Sequence, residues 1–300
     1  MPQNKADNPD WYNDAKDHIW YPYTQMQMMP DPIKVKSTEG VNIVLEDGRK
    51  LIDGVSSWWA SCHGYNHPYI IEKMHEQLDL MPHIMFAGTA HEQAYNLSRR
   101  LSKLTNHEKY FLTDSGSTAV ETAMKIAVQY WRNKGKDGKA KFVSFKNSYH
   151  GDTMGCMSLC DPNSGMHKNF NRFMPRQFSI EIPNDEYSFA EFDFTLSEIK
   201  KSVAAVIIEP LVQGAGGMKF YSSDVLAEIY RICKKHDLLF IADEVMTGFG
   251  RTGNMFACQE AAIEPDLICL GKALTGGVTT LAAVGVKQFV YEEFLSDRLE

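Results

Sequence analysis

The segments LLFIADEVMTGFGRTG, residues 238–253, and DLICLGKALTGG, residues 266–277, decide the fold of this chain. Each contains a short apolar run that is typical of a strand buried on both faces of a sheet. The first run ends at the carboxylate of Asp243, and the second ends just before Lys272. In an open parallel sheet, ligands bind at the carboxyl ends of the strands. We therefore predict that Asp243 and Lys272 face one crevice.

An amine and a carboxylate in one crevice match the needs of pyridoxal 5'-phosphate (PLP). A lysine holds this cofactor through a Schiff base, and a carboxylate beside the ring nitrogen keeps the ring able to accept electrons. Taken singly, Asp243 and Lys272 are each more often ordinary surface charges that follow a strand. A P-loop ending at Lys272 is excluded because Ala273 stands where Ser or Thr is required. A dinucleotide-binding motif starting at Gly214 is excluded because Lys219 stands where Gly is required.

The composition is that of an ordinary globular protein, large enough for one α/β domain and a smaller piece. The chain has 300 residues, of which 44% are hydrophobic and 23% are charged. Its net charge of −7 argues against a nucleic-acid partner and against an anionic membrane surface. No apolar run reaches the roughly 18 residues of a membrane span, and the polar, acidic N-terminus is unlike a signal peptide.

The six cysteines indicate a reducing compartment. They include no Cys-x-x-Cys pair, and several of them lie in apolar runs. Cys156 and Cys160 are four positions apart, but no histidine cluster completes a zinc site around them. We predict reduced, buried thiols in a cytoplasmic protein that binds no metal.

Apolar periodicity predicts strands and helices that alternate along the chain. A hairpin is predicted around Asp47-Gly48, which is a strong turn signal. Residues 1–20 are expected to form a flexible arm, and residues 171–194 a surface loop. The alternation predicts an α/β fold with a doubly wound, mostly parallel sheet. Helices are predicted at residues 70–80, 91–104, 118–131 and 223–236, and strands at residues 110–112, 141–145, 203–208, 238–242, 267–270 and 281–286.

The tetrapeptide Asp-Ser-Gly-Ser, residues 114–117, connects a predicted strand to a predicted helix. Free backbone N–H groups and the helix dipole make such a turn a natural phosphate site. Gly116 would allow close approach of the phosphate, and Ser117 would add a hydroxyl group. The same residues fit a plain helix N-cap equally well.

Aromatic residues occupy two other positions where a ligand could bind. Tyr149 follows a predicted strand and is suited to lie flat on an aromatic ring, although loop packing is the commoner role for such a residue. Trp58 and Trp59 are neighbours in a predicted strand-like segment, so their side chains point to opposite sides. One of them is expected to face a ligand or a partner subunit, and covering a seam between domains is an equally good explanation.

Five segments occur in an order that is known from one enzyme family. They resemble the motifs of the class III PLP-dependent aminotransferases, which have fold type I. The resemblance extends from about residue 18 to the end of the chain. The segments are Asp-Ser-Gly-Ser (114–117), Tyr149-His150-Gly151, Ile-Ile-Glu-Pro (207–210), Asp243-Glu244 with residues 247–253, and Gly271-Lys272.

The resemblance implies a role for each residue that matches a family motif. Lys272 is the implied catalytic lysine, which binds PLP covalently and later carries the proton. Asp243 is implied to pair with the ring nitrogen. Gly116 and Ser117 are implied to hold the phosphate, and Tyr149 to stack on the ring.

Within the family, three further segments resemble the members that act in biotin biosynthesis. These are residues 18–24, residues 56–59 and residues 212–217. The resemblance implies that an amino group passes from S-adenosylmethionine to 8-amino-7-oxononanoate by a ping-pong mechanism, giving 7,8-diaminononanoate. It also implies a homodimer, because fold type I sites need two subunits.

The implied substrate residues are Tyr23, Trp58 and Arg251, together with Tyr149 and Lys272. Arg251 is expected to contact the substrate and to pair with Glu209. Two alternatives stay open at this point: another class III aminotransferase or aminomutase, and an inactive remnant that retains at most the cofactor.

The resemblance also divides the chain into two parts. Residues 1–60 are implied to form the N-terminal arm and hairpin, which belong to the small domain. Residues 61–300 are implied to form the large PLP-binding domain, incomplete at its C-terminal end. Family members continue into a C-terminal small domain that has no counterpart in this sequence, so the activity of the chain alone is an open question.

Overall fold

The computed structural model describes residues 10–163 and 166–297. The N-terminal part contains a small antiparallel sheet of three strands, β1 (Val35–Glu39), β2 (Asn42–Leu45) and β3 (Lys50–Ile52). The turn between β2 and β3 contains Gly48, whose φ of 88° lies in the left-handed region that favours glycine. The predicted hairpin around Asp47-Gly48 is therefore confirmed.

The remaining strands form a seven-stranded sheet and a two-stranded ribbon. The ribbon consists of β8 (Val212–Gln213) and β9 (Lys219–Phe220). In the large sheet the strands are β4 (Lys109–Thr113), β5 (Lys141–Phe145), β6 (Phe178–Ile180), β7 (Val203–Ile208), β10 (Leu239–Asp243), β11 (Leu267–Leu270) and β12 (Ala282–Val286).

The strands of the large sheet lie in the order β4-β12-β11-β10-β7-β5-β6. The run from β11 to β6 is parallel throughout, and β12 is antiparallel to both of its neighbours, β11 and β4. Every residue of β7, β10 and β11 is buried, as expected for strands that are covered on both faces. The predicted mostly parallel sheet is confirmed.

Helices cover both faces of the large sheet, so the predicted doubly wound arrangement is also confirmed. On one face, Leu101, Phe192 and Leu226 pack against the sheet from three different helices. On the other face, Val120 and Trp131 belong to one long helix that packs on the sheet. The helices are α1 (Trp11–Ala15), α2 (Pro68–Leu80), α3 (Glu92–Thr105), α4 (Gly116–Asn133), α5 (Met154–Leu159), α6 (Glu186–Ile199), α7 (Ser223–Lys235) and α8 (Gln288–Glu292).

Two sequence-based expectations are wrong in part. The surface loop expected at residues 171–194 contains strand β6 and the first half of helix α6. Helix α6 begins with a capping box in which Asp185 and Ser188 bond to each other's backbone N–H groups. The flexible arm expected at residues 1–20 contains helix α1, and its first nine positions lie outside the described residues.

The small sheet lies within residues 1–60 and the large sheet within residues 61–300. The division of the chain into two domains at residue 60 stays a prediction. All six cysteines are free thiols, and all but Cys62 are buried. None of the described helices combines the length and the apolar character that crossing a membrane requires.

Candidate active site

Asp243 and Lys272 lie at the carboxyl ends of two adjacent parallel strands. Asp243 is the last residue of β10 and pairs in register with Cys269 of β11. Lys272 follows β11 after a single glycine and begins a short 3₁₀ turn. Both side chains line one cleft. The sheet therefore brings the two groups together as predicted from the sequence.

The carboxylate of Asp243 is buried and held on both of its oxygens. Its Oδ1 accepts a hydrogen bond from the backbone N–H of Val245 at 3.1 Å, and its Oδ2 lies 2.7 Å from Nδ1 of His150. Burial opposes protonation of His150, but the hydrogen bond to Asp243 and the charges of Asp243 and Glu209 outweigh it and raise the pKa of the imidazole. The Asp243–His150 pair thus fixes a negative charge at the cleft.

The N-terminus of helix α4 forms another part of the cleft wall. Ser115 caps this helix by accepting a hydrogen bond from the backbone N–H of Thr118. The first N–H groups of a helix have no acceptor within it, so those of Gly116 and Ser117 are available to an anion. Ser117, Gly116 and Ser115 all line the cleft. The predicted N-cap is present at Ser115, and binding of a phosphate by the neighbouring Gly116 and Ser117 stays a prediction.

Gly151 lies against this turn in a conformation that other residues adopt rarely. Its φ is 118°, and a Cβ at this position would overlap the Ser117 hydroxyl group. Ser117 Oγ also accepts a hydrogen bond from the backbone N–H of Asp152 at 2.8 Å. The backbone after Tyr149 therefore sets the position of the Ser117 side chain.

We expect Gly151→Ala to weaken PLP binding by at least about tenfold, because the new methyl group displaces Ser117 from the phosphate turn. A titration of PLP absorbance against protein concentration measures this. Gly253→Ala is the matched control, since Gly253 has a φ of 110° and open space around its Cβ position. Equal PLP affinities of the two variants would contradict the role given to Ser117.

The amine of Lys272 is largely buried within the cleft. Burial lowers the pKa of the Lys272 amine, and the charges of Asp243 and Glu209 oppose this effect without cancelling it. The Nζ atom lies 5.5 Å from the centroid of the Trp59 ring. A lysine in these surroundings is neutral more often than an exposed one, which makes it a better nucleophile.

The ring of Trp59 is placed by a left-handed turn. All four residues from Ser56 to Trp59 have φ between 48° and 68°, a conformation that costs an L-residue roughly 1–2 kcal/mol. Asp53 supports the turn, because its carboxylate accepts hydrogen bonds from the backbone N–H groups of Val55 and Ser57. Such strain persists only where the surroundings hold it, and it is frequent at functional sites.

Trp59, rather than Trp58, lines the cleft beside Lys272. The side chain of Trp58 is 61% exposed and packs edge-on against Tyr23, with ring centroids 5.8 Å apart. The hydroxyl of Tyr23 lies 3.4 Å from that of Tyr149, which does line the cleft. Tyr23 and Trp58 therefore stand at the outer rim, and their contact with a substrate stays a prediction.

Tyr149 belongs to a polar network that the sequence did not reveal. Its hydroxyl donates to Asp152 Oδ2 at 2.8 Å, while the other oxygen of Asp152 lies 3.0 Å from Nε2 of His167. The rings of Tyr149 and His167 are stacked at a centroid distance of 5.8 Å. The network fixes one edge of the Tyr149 ring beside the cleft.

Arg251 and Glu209 do not form the expected pair. The guanidinium of Arg251 donates to the backbone carbonyls of Met246 at 2.8 Å and Trp59 at 2.6 Å. Glu209 accepts from the backbone N–H groups of Tyr149 and Gly214, both at 3.0 Å. Among the salt bridges of the described residues, none joins these two side chains. Burial raises the pKa of Glu209 to about 7.

The residues missed from the sequence are Trp59, His150, Gly151, Asp152 and His167. His150 and Gly151 stand in a quoted motif, and a search for the group that orients Asp243 could have identified His150. Asp152 could have been identified in the same loop, because it follows strand β5 two residues after His150. Nothing in the sequence indicates which of two adjacent tryptophans a left-handed turn directs inward.

The cleft offers one group for each part of PLP. Lys272 can bind the aldehyde carbon, Asp243 can face the ring nitrogen, and the α4 N-terminus can hold the phosphate. A Cβ at Gly116 would lie 2.7 Å from Cγ1 of Val245, so glycine keeps the phosphate turn close to the residues that follow β10. The residues present therefore fit PLP.

The family model for aminotransferase class-III matches residues 23–298. The chain belongs to the class-III aminotransferase family. Its fold is similar to that of solved aminotransferases. The adenosylmethionine-8-amino-7-oxononanoate aminotransferase from Methanocaldococcus jannaschii superposes with a TM-score of 0.90 at 33% identity, covering 96% of this chain and 67% of that one. A PLP-bound amine transaminase from an uncultivated Pseudomonas species gives 0.84 at 30% identity, covering 92% and 66%.

Curated relatives of this chain carry the same enzyme name as the Methanocaldococcus jannaschii protein. The adenosylmethionine-8-amino-7-oxononanoate aminotransferase of Buchnera aphidicola (subspecies Schizaphis graminum) is 44% identical over 275 residues, which cover 89% of this chain and 63% of that protein. The Mycobacterium leprae enzyme of that name is 40% identical, with 89% and 64% covered. The chain thus spans somewhat less than two thirds of the length of these relatives.

Proposed function

We propose that this chain is a PLP-dependent aminotransferase, or the larger part of one. The observation that carries the proposal is the placement of Asp243 and Lys272 at adjacent strand ends, in one cleft with the N-terminus of helix α4. PLP, when bound, would supply an electron sink that stabilises negative charge on the carbon next to the transferred nitrogen. The residues of the protein would hold the cofactor in place and move the proton.

Each cleft residue has a distinct task in this proposal. Asp243 keeps a proton on the ring nitrogen, and His150 holds the Asp243 carboxylate in place by its 2.7 Å contact. Gly116 and Ser117 hold the phosphate at the helix N-terminus. Lys272 first binds the cofactor and then moves a proton with its Nζ atom, for which a lowered pKa suits the amine.

We propose S-adenosylmethionine as the amino donor and 8-amino-7-oxononanoate as the acceptor. The proposal is supported by the names of the curated relatives and by the resemblance of residues 18–24, 56–59 and 212–217. Both substrates are cationic at an amine, and the rim of the cleft offers the Asp152 carboxylate with the hydroxyls of Tyr23 and Tyr149. The cytoplasm stays the predicted compartment.

The substrate proposal is tested by single-turnover absorbance spectra of the PLP-loaded chain. S-adenosylmethionine should convert the bound cofactor to its amine form, whereas other amino donors at the same concentration should leave the spectrum unchanged. Conversion by alanine or glutamate instead would favour another class III aminotransferase. An unchanged spectrum with every donor, with PLP still bound, would favour an inactive remnant.

We expect Trp58→Ala to raise the half-saturating concentration of S-adenosylmethionine about tenfold or more and to leave PLP affinity within about twofold, because the ring stands at the rim and not beside Lys272. Both quantities come from spectral titrations of one protein sample. Trp11→Ala is the matched control, since this tryptophan is also exposed and lies outside residues 18–24. A fall in thermal stability with unchanged donor affinity would contradict the substrate role of Trp58.

We propose that two copies of the chain form a homodimer through the segment from helix α2 to residue 86. Helix α2 has no buried residue, although it carries apolar side chains along its length. The exposed side chains of Leu78, Leu80, Met85 and Phe86 follow one another in this segment. Contiguous apolar surface of this kind is rare on a monomer.

We expect the mass in solution to be about twice 34.0 kDa, and Phe86→Glu to reduce it to that of one chain, because a buried unpaired carboxylate at the interface is costly. Light scattering during gel filtration measures the mass. Phe173→Glu is the control, since Phe173 is exposed on a different segment. A monomer for the unsubstituted chain would overturn the dimer proposal and leave the assignment of the cleft unaffected.

A further inference from the structure

Another cavity lies at the end of the sheet where the parallel strands begin, whereas the cleft lies where they end. Three helices, α4, α6 and α7, end there, and the loops after them lead into the first residues of β5, β7 and β10. The cavity has a volume of about 400 Å³. We call it the lysine cavity, because its lining includes Lys136, Lys139, Lys200, Lys201 and Lys235, with Asp237.

Helix ends and ion pairs account for some of these lysines. Lys200 and Lys235 stand at helix C-termini, where a cation offsets the helix dipole. Lys235 also forms a salt bridge with Asp193 at 2.6 Å, and Lys136 forms one with Asp237 at 3.4 Å. Neither explanation applies to Lys139, which lies in the loop between α4 and β5.

Lys139 is in an unusual environment for a lysine. Its side chain is 8% exposed, whereas lysines are rarely buried without a partner charge. Within residues 10–163 and 166–297 no carboxylate forms a salt bridge with it, and its Nζ donates only to the backbone carbonyl of Asp237 at 3.3 Å. The Nζ also lies 3.9 Å from the centroid of the Trp131 ring.

These surroundings change the protonation of the amine. Burial lowers the pKa of Lys139 to about 8, and the positive charges of Lys136 and Lys200 act in the same direction against the charge of Asp237. A large fraction of the amine is therefore neutral near pH 8, whereas an ordinary lysine titrates near pH 10.4. The cavity thus combines an available nucleophile with several cations that attract anions.

We propose that the lysine cavity binds acyl phosphates and that Lys139 is the amine that they acylate. The neighbouring ammonium groups of Lys200 and Lys201 recognise the phosphate, and Lys139 lines the same cavity. The proposal is independent of the cleft at the other edge of the sheet and of any cofactor bound there.

The reaction is an acyl transfer without a redox change. The nitrogen lone pair of neutral Lys139 attacks the carbonyl carbon, so that a C–N bond forms. The C–O bond to the phosphate breaks, and the phosphate leaves with the electron pair of that bond. The proton released from nitrogen passes to the phosphate or to water, and Lys200 and Lys201 offset the charge of the leaving group.

The test is acetylation of the unsubstituted full chain by acetyl phosphate, followed at each lysine by peptide mass spectrometry. Near pH 7.5 we expect the initial rate at Lys139 to exceed that at exposed Lys36 and Lys103 by about tenfold or more, because more of its amine is neutral. The rate at Lys139 should level off above about pH 8, where most of its amine is neutral. A rate at Lys139 equal to or below theirs overturns the proposal.

Two comparisons separate binding of the phosphate from simple reactivity of the amine. A neutral acetyl ester should show a smaller preference for Lys139 than acetyl phosphate does. The double variant Lys200→Met, Lys201→Met should slow acetylation of Lys139 by acetyl phosphate about fivefold or more and slow the ester reaction less, because loss of the Lys200 charge also raises the pKa of Lys139. Equal effects on the two donors would overturn the phosphate-binding part of the proposal.

Discussion

We expect Lys272→Ala to lower the rate of amino-group transfer by at least about 10⁴-fold, because it removes both the covalent attachment of PLP and the group that moves the proton. Among the described residues that line the cleft, Lys272 is the only lysine. The rate is measured in a single turnover of the PLP-loaded chain with the amino donor that converts the unsubstituted protein.

The assignment of Lys272 can also be tested by a chemical label. Borohydride reduction of the PLP-loaded chain should attach the cofactor to the peptide that contains Lys272, and Lys272→Ala should leave bound PLP unlabelled. Lys219→Ala is the control, since Lys219 is exposed and lies outside the cleft lining. A label on any other lysine, with the same stoichiometry, would contradict the assignment.

We expect Asp243→Asn to slow the same single turnover by about 10²-fold or more, since the amide keeps the shape but loses the charge that protonates the ring nitrogen. The substitution also removes the charge that holds His150, so the pKa of the imidazole should fall. The first change is followed by stopped-flow absorbance, and the second by an NMR titration of the histidine.

The control for Asp243 is another buried carboxylate at a strand end. Asp266 lies just before β11, is 3% exposed and forms a salt bridge with Lys234 at 2.8 Å. Asp266→Asn should therefore lower the thermal stability and leave the rate per folded molecule unchanged. A similar rate loss in both variants would mean that Asp243 acts through the fold and not through the cofactor.

The sheet and its two key residues, Asp243 and Lys272, were predictable because strands buried in a parallel sheet occur in a sequence as continuous apolar runs. Leu239–Asp243 and Leu267–Leu270 could be located, and the rule about strand ends then placed Asp243 and Lys272 together. The phosphate turn was predictable for a similar reason, because a strand, small residues and an amphipathic helix follow one another at residues 109–133.

Features that depend on three-dimensional packing escaped the sequence. Helix α6 is not predictable from periodicity because Phe189, Phe192 and Phe194 do not follow a clear helical period, although the capping signal at Asp185 is present in the sequence. The family resemblance indicates Trp58, while alternation in an extended segment gives no preference between Trp58 and Trp59. Ser56 to Trp59 form a run of four residues with a left-handed backbone, in which side chains do not alternate as they do in a strand. None of the four is glycine, so the sequence does not indicate this conformation.

The position of β12 between β4 and β11 has a consequence for the order in which the chain can fold. During synthesis β4 is made first among the strands of the large sheet, and its one neighbour, β12, is made last. Until residues 282–286 emerge, β4 has an unpaired edge of the kind that promotes aggregation. Helix α4 begins three residues after β4, so the N-terminus of this helix follows a strand whose neighbour in the sheet is β12. The strand that leads into the predicted phosphate turn therefore gains its sheet partner only after β11, the strand that leads to Lys272, has been made.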